Sequence, residues 1–223
     1  KNRLNFRNIT AEKVEPLLDG VFHNDIPADD ILGQKGTEGY GMWPGISFME
    51  QIPFFSGQKR VVLSNCGCYN PESIEEYIAR GGYRTFIKTI RNYTHEEVCD
   101  IIEKSGLRGR SGGGYPTGLK WKTALNTNAS SRFLICNAKE SDPGSYADRT
   151  IMESDPHRLV EGIAIAAYAS GATTAIIYLR SGSPLAHKRI VRAIELAGEY
   201  GITGHNIFSS GFNLDILIRT EPG

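Results

Sequence analysis

The feature that most constrains this chain is a glycine run, with six glycines among the thirteen residues from Gly106 to Gly118. Glycine weakens the interior of a helix or strand, so the run does not suit a core element. Consecutive residues without a Cβ let backbone N–H groups converge on an anion. Arg108, Arg110 and Lys120 add positive charge around the glycines. The run therefore predicts a phosphate-binding loop; the alternative is a flexible surface loop, which has no need of these cations.

Two common phosphate-binding motifs do not fit this loop. A Walker loop has glycine, four residues and then Gly-Lys-Ser/Thr, whereas Lys120 follows Gly118-Leu119 and precedes Trp121. The dinucleotide fingerprint Gly-x-Gly-x-x-Gly does not occur in the run, and a predicted helix rather than a strand precedes it. The glycines thus indicate an anion site of a third kind.

From residue 60 onward the sequence alternates between strand and helix patterns. Thr94 and Glu97 form a capping box, Pro156 and Pro184 stand at first helical turns, and Gly171 ends a helix. In chain order the predicted elements are a strand at 60–63, a helix from Asn70 to Gly81-Gly82, a helix from Thr94 to about Ser105, a strand at 132–136, a helix from 155 to 171, a strand at 175–179, a helix from 183 to about 200, and a strand at 212–219. This order predicts an α/β fold with a parallel sheet, whose ligand crevice lies at the carboxyl ends of the strands.

The predicted domains meet near residue 60. Residues 1–59 carry scattered glycines and prolines between bulky apolar residues, which predicts an irregular N-terminal connector. Residues 60–223 make up the predicted α/β domain. Because the sequence begins at Lys1 and ends at Gly223 directly after a predicted strand, we expect a fragment whose α/β domain is incomplete at its C-terminal end.

Charge and hydropathy restrict the partners of the chain. Lys plus Arg and Asp plus Glu both number 25, so the net charge of zero argues against a nucleic-acid partner. No run of about 18 apolar residues occurs in the sequence, which predicts a cytoplasmic chain without direct membrane insertion.

The cysteines and histidines do not form a metal-binding pattern. Cys66 and Cys68 form a Cys-Gly-Cys pair without a second ligand pair, so packing cysteines are favoured over metal or redox chemistry. His157 and His187 are predicted to lie on the solvated sides of their helices. No residue is assigned to a metal, and none is assigned to catalysis.

A polar stretch follows the predicted strand at 132–136. Asn137, Glu140 and Asp142 stand where side chains could hydrogen-bond a ring edge or a ribose, although a simple turn uses the same residue types. Tyr115 offers a ring face to a planar ligand, or serves only as a packing anchor. The residues alone thus indicate a phosphate-bearing cofactor in an α/β crevice.

Taken together, these motifs resemble one family. Residues 105–121 are similar to S-G-L-R-G-R-G-G-A-G-F-P-T-G-L-K-W, the flavin loop in the family of NADH-binding FMN flavoprotein subunits of complex I. Residues 136–144 resemble its C-N-A-D-E-x-x-P-G loop, while Asp148-Arg149 and residues 155–157 resemble its D-R and D-P-H motifs. The likeness extends over residues 65–219.

The resemblance implies a Rossmann-like domain that binds FMN, accepts a hydride from NADH and passes single electrons to an iron–sulfur cluster. The implied FMN-binding residues are Gly109, Arg110, Ser111, Gly112, Gly113, Gly114, Lys120, Asn137 and Glu140. Those implied for the nicotinamide nucleotide are Tyr115, Lys139 and Asp142. No side chain need act as acid or base, because the flavin itself accepts the hydride.

Two of the departures from the family pattern bear on the implied roles. Ser111 replaces a glycine of the flavin loop, and a Cβ there requires a negative φ. Lys139 replaces the aspartate of C-N-A-D-E and reverses the charge beside the implied nucleotide site. NADH and NADPH therefore both stay open as donors. A flavin relay that does not bind nucleotide stays open too, as does a purely structural subunit.

The segment before Gly82 is more similar to diaphorase subunits of soluble NAD(P)-linked hydrogenases, formate dehydrogenases and electron-bifurcating complexes. In those subunits a thioredoxin-like 2Fe-2S domain often precedes the flavin domain. The resemblance implies iron–sulfur partner subunits, including a thioredoxin-like 2Fe-2S subunit, and a location peripheral to a membrane complex. It also implies a 4Fe-4S cluster whose ligands lie beyond residue 223.

Overall fold

The structure is a computed structural model that describes residues 2–26, 28–36, 39–110, 112–140 and 144–220. The chain divides into two compact units, Lys1–Val61 and Val62–Gly223. The sequence had placed this boundary between residues 59 and 60.

The first unit is built on a small antiparallel sheet. Its elements are β1 (Arg3–Phe6), α1 (Ala11–His23), a 3₁₀ turn (Ala28–Asp30), β2 (Ile31–Lys35), a second 3₁₀ turn (Met49–Gln51) and α2 (Pro53–Ser56). Strands β1 and β2 pair antiparallel. These regular elements correct the expectation of an irregular connector.

A buried glutamine explains why the sequence pattern missed this sheet. Gln34 in β2 is completely buried, and its side chain accepts a hydrogen bond from Asn2 Nδ2 at 3.0 Å. Its Nε2 atom donates to the carbonyl oxygen of Trp43 at 2.9 Å. The interior around Gln34 is therefore held together by hydrogen-bonded polar groups rather than by a periodic apolar stripe. Hydrophobic periodicity cannot detect such groups.

The second unit contains a parallel sheet in the order β3-β4-β5. Its elements are α3 (Ile74–Ala79), α4 (Arg84–Asn92), α5 (His95–Lys104), α6 (Thr117–Asn126), β3 (Phe133–Ala138), α7 (Ala147–Ser154), α8 (Pro156–Ser170), β4 (Thr174–Leu179), α9 (Pro184–Glu199), a 3₁₀ turn (Ile207–Ser209) and β5 (Asp215–Thr220). Helices α7 and α8 connect β3 to β4, and α9 connects β4 to β5. The α/β fold with a parallel sheet is confirmed.

Helix α8 lies at the centre of the core. It packs against α4, α5, α6, α7 and α9 and against β3 and β4. Its buried face includes Val160, Ile163, Ala164 and Ala167, which recur at helical spacing. Because α8 touches both the sheet and α6, it fixes the position of the glycine run, which directly precedes α6, relative to β3.

The helix signals were mostly correct. Thr94 Oγ1 accepts from the Glu97 amide at 3.2 Å in the predicted capping box, and Gly171 ends α8 with a φ of 69°. The predicted cap at Asn70 was wrong, because α3 begins at Ile74 and Ser73 is its N-cap. The Asn70 side chain instead accepts from the amide of Glu72 and forms a local turn.

The predicted strand at 60–63 was also wrong. These residues form a bend and a turn, in which Val61 and Val62 are exposed. Two adjacent valines favour a strand by propensity, but no neighbouring strand within the described ranges pairs with them.

Candidate functional site

The glycine run forms a closed loop between α5 and α6. The amide of Gly109 donates to the carbonyl oxygen of Tyr115 at 2.9 Å, which closes the loop at its base. Arg108 spans the same opening, because its Nη1 atom donates to the carbonyl oxygen of Gly114 at 2.8 Å. The loop is therefore a defined turn with its own hydrogen bonds, which argues against the alternative of a flexible surface loop.

Glycine is required at two positions of this loop. Gly112 has a φ of 95° and Gly114 a φ of 56°, both in the region that side chains with a Cβ avoid. Gly113 between them has no such φ, and a Cβ added there would meet no atom within 4 Å. Alternation of backbone conformation along consecutive residues is the geometry that turns successive amides toward one anion. Ser111 lies outside the described residues.

Lys120 lies in the first turn of α6, directly after the loop, and its side chain is exposed. The N-cap of this helix is Pro116, whose side chain makes no capping hydrogen bond. The N-terminal end of a helix carries partial positive charge. The start of α6 and Lys120 thus place positive charge next to the loop.

A second group of predicted residues meets at the carboxyl end of β3. The Asn137 side chain accepts a hydrogen bond from the amide of Lys139 at 3.2 Å. Glu140 follows with a φ of 48°, and its Oε1 atom accepts from the amide of Asp148 at 3.0 Å in the first turn of α7. A carboxylate residue held at positive φ stores backbone strain, and such strain concentrates at functional sites. Asp142 lies outside the part of the chain that is described.

The carboxyl group of Asp148 is affected by its surroundings at the start of α7. Burial raises the pKa of Asp148, and the nearby charge of Glu140 raises it further. Because Glu140 accepts a hydrogen bond from the amide of Asp148, the strained residue after β3 is fixed to the first turn of α7.

An apolar cavity of about 450 Å³ lies where α6, α8 and the edge of β3 meet. Trp121 lines it from α6, one residue after Lys120, and Leu134 and Cys136 line it from β3. Burial raises the pKa of the Cys136 thiol to about 11, so this sulfur is protonated at neutral pH. The helix that follows the glycine loop and the strand that contains Asn137 therefore border one apolar space.

The structure thus assembles the described candidate residues in two places. Gly109, Arg110, Gly112, Gly113, Gly114, Tyr115 and Lys120 belong to the loop and the start of α6, and Asn137, Lys139 and Glu140 belong to the end of β3. Tyr115 is about half exposed, with its ring accessible to a ligand. The ligand-binding roles of all these residues remain predictions.

Sequence reasoning missed a buried polar cluster at the start of α8. His157 is completely buried, and its Nδ1 atom shares a 2.9 Å hydrogen bond with the Tyr83 hydroxyl. Tyr69 donates to Asp155 at 2.8 Å, and Tyr77 donates to Glu161 at 2.6 Å. The prediction of a solvated His157 was therefore wrong.

A periodic signal for this burial was present in the sequence. His157 precedes the buried residues Val160 and Ala164 by three and seven positions, so all three share one face of α8. His187 on α9 is exposed as predicted. The polarity of histidine had outweighed its position in the pattern.

The described ranges contain neither a metal-ligand cluster nor a membrane-spanning helix. No three His, Cys, Asp or Glu side chains come close enough there to hold a metal ion together. Cys66, Cys68 and Cys136 are half-buried and Cys99 is buried, and none of the four forms a disulfide. Among the helices described, none is long and apolar enough to cross a membrane.

Comparison with known proteins assigns this architecture. Residues 102–220 match the model of the Nuo51 FMN-binding domain. HndC, a subunit of the NADP-reducing hydrogenase of Solidesulfovibrio fructosivorans, is 48% identical over 166 residues, which cover 74% of this chain and 34% of that protein. An NADH-quinone oxidoreductase subunit of Aquifex aeolicus is 48% identical over 151 residues, covering 68% of this chain and 35% of that protein. The chain thus spans about a third of the length of the curated relatives it matches.

A solved structure shares the fold. The NAD+-reducing [NiFe]-hydrogenase in its H2-reduced state superposes with a TM-score of 0.56 at 24% sequence identity. The match covers 98% of this chain and 32% of the hydrogenase chain.

Proposed function

The chain belongs to the Nuo51 FMN-binding domain family, and from this premise we propose that it is the flavin-carrying part of a multi-subunit NAD(P)H oxidoreductase. In this proposal electrons move between NAD(P)H and iron–sulfur clusters through FMN. Bound FMN supplies the redox chemistry, since a flavin takes up a hydride and gives up electrons singly. The protein contributes binding, orientation and electrostatics.

The observation that carries the proposal is the geometry of the glycine loop. The space beside Gly113 is open, and its backbone is unstrained, so a phosphate fits where a side chain would otherwise stand. The positive-φ glycines on either side turn the backbone around this point. Lys120 and the start of α6 supply the positive charge that a phosphate needs.

The remaining roles follow from the same proposal. Phosphate is assigned to Gly109, Arg110, Ser111, Gly112, Gly113, Gly114 and Lys120, the flavin region to Asn137 and Glu140, and the nicotinamide nucleotide to Tyr115, Lys139 and Asp142. No side chain of this set exchanges a proton in hydride transfer. Their work is to hold the two ring systems against each other and to exclude water.

Partners are proposed from the relatives. One matched relative is named as part of a hydrogenase and another as part of a quinone oxidoreductase. We assign this chain to a complex that contains other iron–sulfur subunits, including a thioredoxin-like 2Fe-2S subunit. The 4Fe-4S cluster expected of the family is assigned to polypeptide beyond residue 223.

Gly113→Val tests the flavin site. The added side chain meets no protein atom, so we expect the variant to fold normally while its FMN content falls about tenfold or more, because valine occupies the phosphate position. Flavin absorbance of the purified full protein measures this. Anaerobic bleaching of the wild-type flavin by NADH or by NADPH then identifies the donor.

Gly57→Val is the matched control, because Gly57 also has open space and no positive φ but belongs to the first unit. It should retain full FMN. A folded Gly113→Val protein with wild-type flavin content would remove the loop from the site.

A further inference from the structure

A groove of about 570 Å³ lies between the corner that joins α3 to α4 and the segment that follows α9. Its lining is mainly apolar and includes Ile78, Ile87 and Phe208, with Arg84 and Tyr200 at its polar positions. The groove shares no lining residue with the apolar cavity beside β3, and none of the residues assigned to flavin or nucleotide lines it. It is therefore a separate surface of the second unit.

One wall of the groove carries a row of cations. Arg84, Lys88 and Arg91 recur at helical spacing on α4, and all three are exposed. Helix α4 contains no acidic residue. Within the described ranges, the side chains of Arg84 and Lys88 have no hydrogen-bond or ion-pair partner. Because like charges at this spacing repel each other, an anionic ligand beside the row would stabilise it.

The carboxylates near α4 leave this row uncompensated. Glu161 accepts hydrogen bonds from the amides of Tyr83 at 2.9 Å and Phe86 at 3.2 Å, so its charge is used at the start of the helix. At the other wall, the Tyr200 hydroxyl donates to Glu75. The exposed face of α4 is thus the positive side of the groove.

The cations extend along the groove rather than meeting at one point. Seven residues separate Arg84 from Arg91, which corresponds to about 10 Å of α-helix. The guanidinium carbon of Arg91 lies 5.9 Å from the centre of the Phe208 ring, and Phe208 lines the groove. An elongated ligand with several negative charges fits this arrangement better than a small anion does.

The backbone of the lining is strained at two places. Tyr83 has a φ of 59° and Phe208 a φ of 48°, and Ser209 continues the strained stretch with a φ of 60°. Bulky residues rarely adopt positive φ, and strain of this kind concentrates at functional sites. The strain is independent of the charge, and it occurs in both walls of the same groove.

We propose that this groove binds an amphipathic helix of a partner protein, with apolar side chains in the groove and acidic side chains along the α4 row. No strand residue lines the groove, so it offers no sheet edge to an extended peptide, whereas an apolar groove suits one face of a helix. A membrane surface is too broad to enter a groove. The groove and its cations have no part in the flavin assignment, so this docking site does not rest on the proposed function.

Fluorescence polarisation with two labelled synthetic peptides tests the site on the full protein. Both peptides are helices of about 20 residues with leucine along one face, and the flanking positions carry glutamate in one and lysine in the other. We expect the glutamate peptide to bind about tenfold more tightly than the lysine peptide, and less tightly at high salt. Arg84→Gln/Lys88→Gln should weaken binding of the glutamate peptide about fivefold or more.

Two matched controls separate the groove from general surface effects. Lys188→Gln/Arg192→Gln removes two exposed cations at the same spacing from α9, outside the groove, and should leave the affinity unchanged. Ile78→Ser should weaken binding about threefold or more, because it removes apolar lining. Ile101→Ser changes a similarly exposed isoleucine on α5 outside the groove and should have no effect.

The proposal is overturned if the glutamate peptide does not bind, or if folded Arg84→Gln/Lys88→Gln protein binds it like the wild type. Phosphatidylglycerol vesicles are added as a third probe. Binding of vesicles without binding of the peptide would also overturn the proposal, since the row would then serve a lipid surface. Flavin content measured in the same samples reports on the glycine loop alone, so failure of the flavin assignment is seen separately.

Discussion

His157 shows how a single buried residue sets part of the stability of this chain. Its Nδ1 atom is hydrogen-bonded to Tyr83, and the ring of Tyr77 stacks on it at 5.6 Å. Burial lowers the pKa of His157 to about 4, although the nearby charge of Glu75 raises it slightly. The imidazole is therefore neutral in the folded protein at neutral pH.

This burial predicts a pH dependence of stability. Between pH 6.5 and pH 4 the unfolded chain protonates His157 and the folded chain does not, so falling pH favours unfolding. We expect the wild type to lose about 2 kcal/mol more unfolding free energy from pH 7 to pH 5 than His157→Asn. The asparagine amide keeps a polar group near Nδ1 for Tyr83. Urea denaturation of both proteins at both pH values measures the difference.

Other titrating groups around His157 make this comparison necessary. Burial raises the pKa of Asp155, which acts in the opposite sense and stabilises the fold at low pH. The hydrogen bond from Tyr200 lowers the pKa of Glu75, which acts in the same sense as His157. Both groups remain in the variant, so equal pH slopes in the two proteins would contradict the assignment to His157.

At this scale the sequence identified candidate positions better than their partners. The sequence singled out the glycine run as an anion-binding loop, whereas the requirement for glycine at 112 and 114 comes from their positive φ angles, which the structure shows. The partners of Asp155, His157 and Glu161 come from tyrosines more than 70 residues away. No local pattern encodes such long-range pairs.

At the scale of elements, the packing of α5 against α6 depends on one glycine. Gly118 lies in the first turn of α6, and a Cβ there would overlap the backbone nitrogen of Glu103 in α5. The close approach of these two helices also fixes where the glycine loop between them begins and ends. Gly118 is thus required for packing, whereas Gly112 and Gly114 are required for backbone conformation.

Two glycine-to-alanine substitutions in helices should change the unfolding free energy in opposite directions. Gly118→Ala should lower the unfolding free energy by about 1–3 kcal/mol, because the helices must separate. Gly162→Ala in α8 should raise it by about 0.5–1 kcal/mol, because its Cβ meets nothing within 4 Å and helical glycine is entropically costly. Chemical denaturation measures both. Destabilisation of equal size in the two variants would show that backbone flexibility, not overlap with α5, explains the effect at 118.

Element boundaries were predictable where a cap is local. Thr94 and Glu97 are three residues apart and cap α5 as expected, and Pro184 opens α9. The start of α3 was predicted at the wrong residue because Asn70 and Ser73 both suit an N-cap. Tertiary packing favours Ser73, since the next residue, Ile74, is completely buried.

For the whole molecule, the sheet of the second unit has one covered face and one open face. The connection from β3 to β4 and the connection from β4 to β5 cross the sheet in the same direction. Because such crossovers are right-handed, the helices of both connections lie on the same face of the sheet. Ala175, Ile177 and Leu179 of β4 are buried on the covered face. Phe133 and Ile135 of β3 are 62% and 58% exposed.

The sequence predicted the parallel sheet but not its open face. Residues 133–136 form a continuous apolar run, a pattern typical of a strand buried on both faces. Only the three-dimensional order of strands and crossovers shows which alternate residues lack cover. The parallel strands were therefore predictable from composition, but which face of the sheet stays open was not.

The open face predicts binding of an apolar dye to the folded chain. Ile135 and Leu217 stand in one row of the sheet, with Ile176 between them. Ile135→Thr/Leu217→Thr should lower the fluorescence of a bound naphthalene sulfonate dye while changing the unfolding free energy by about 0.5 kcal/mol or less per site, since both side chains are exposed and threonine suits a strand. Ile177→Thr on the covered face is the opposite control. It buries a hydroxyl, so it should cost about 1–3 kcal/mol and increase dye binding. Unchanged dye fluorescence in the double variant would mean that the dye binds elsewhere and that this sheet face is not the apolar surface the chain presents to solvent.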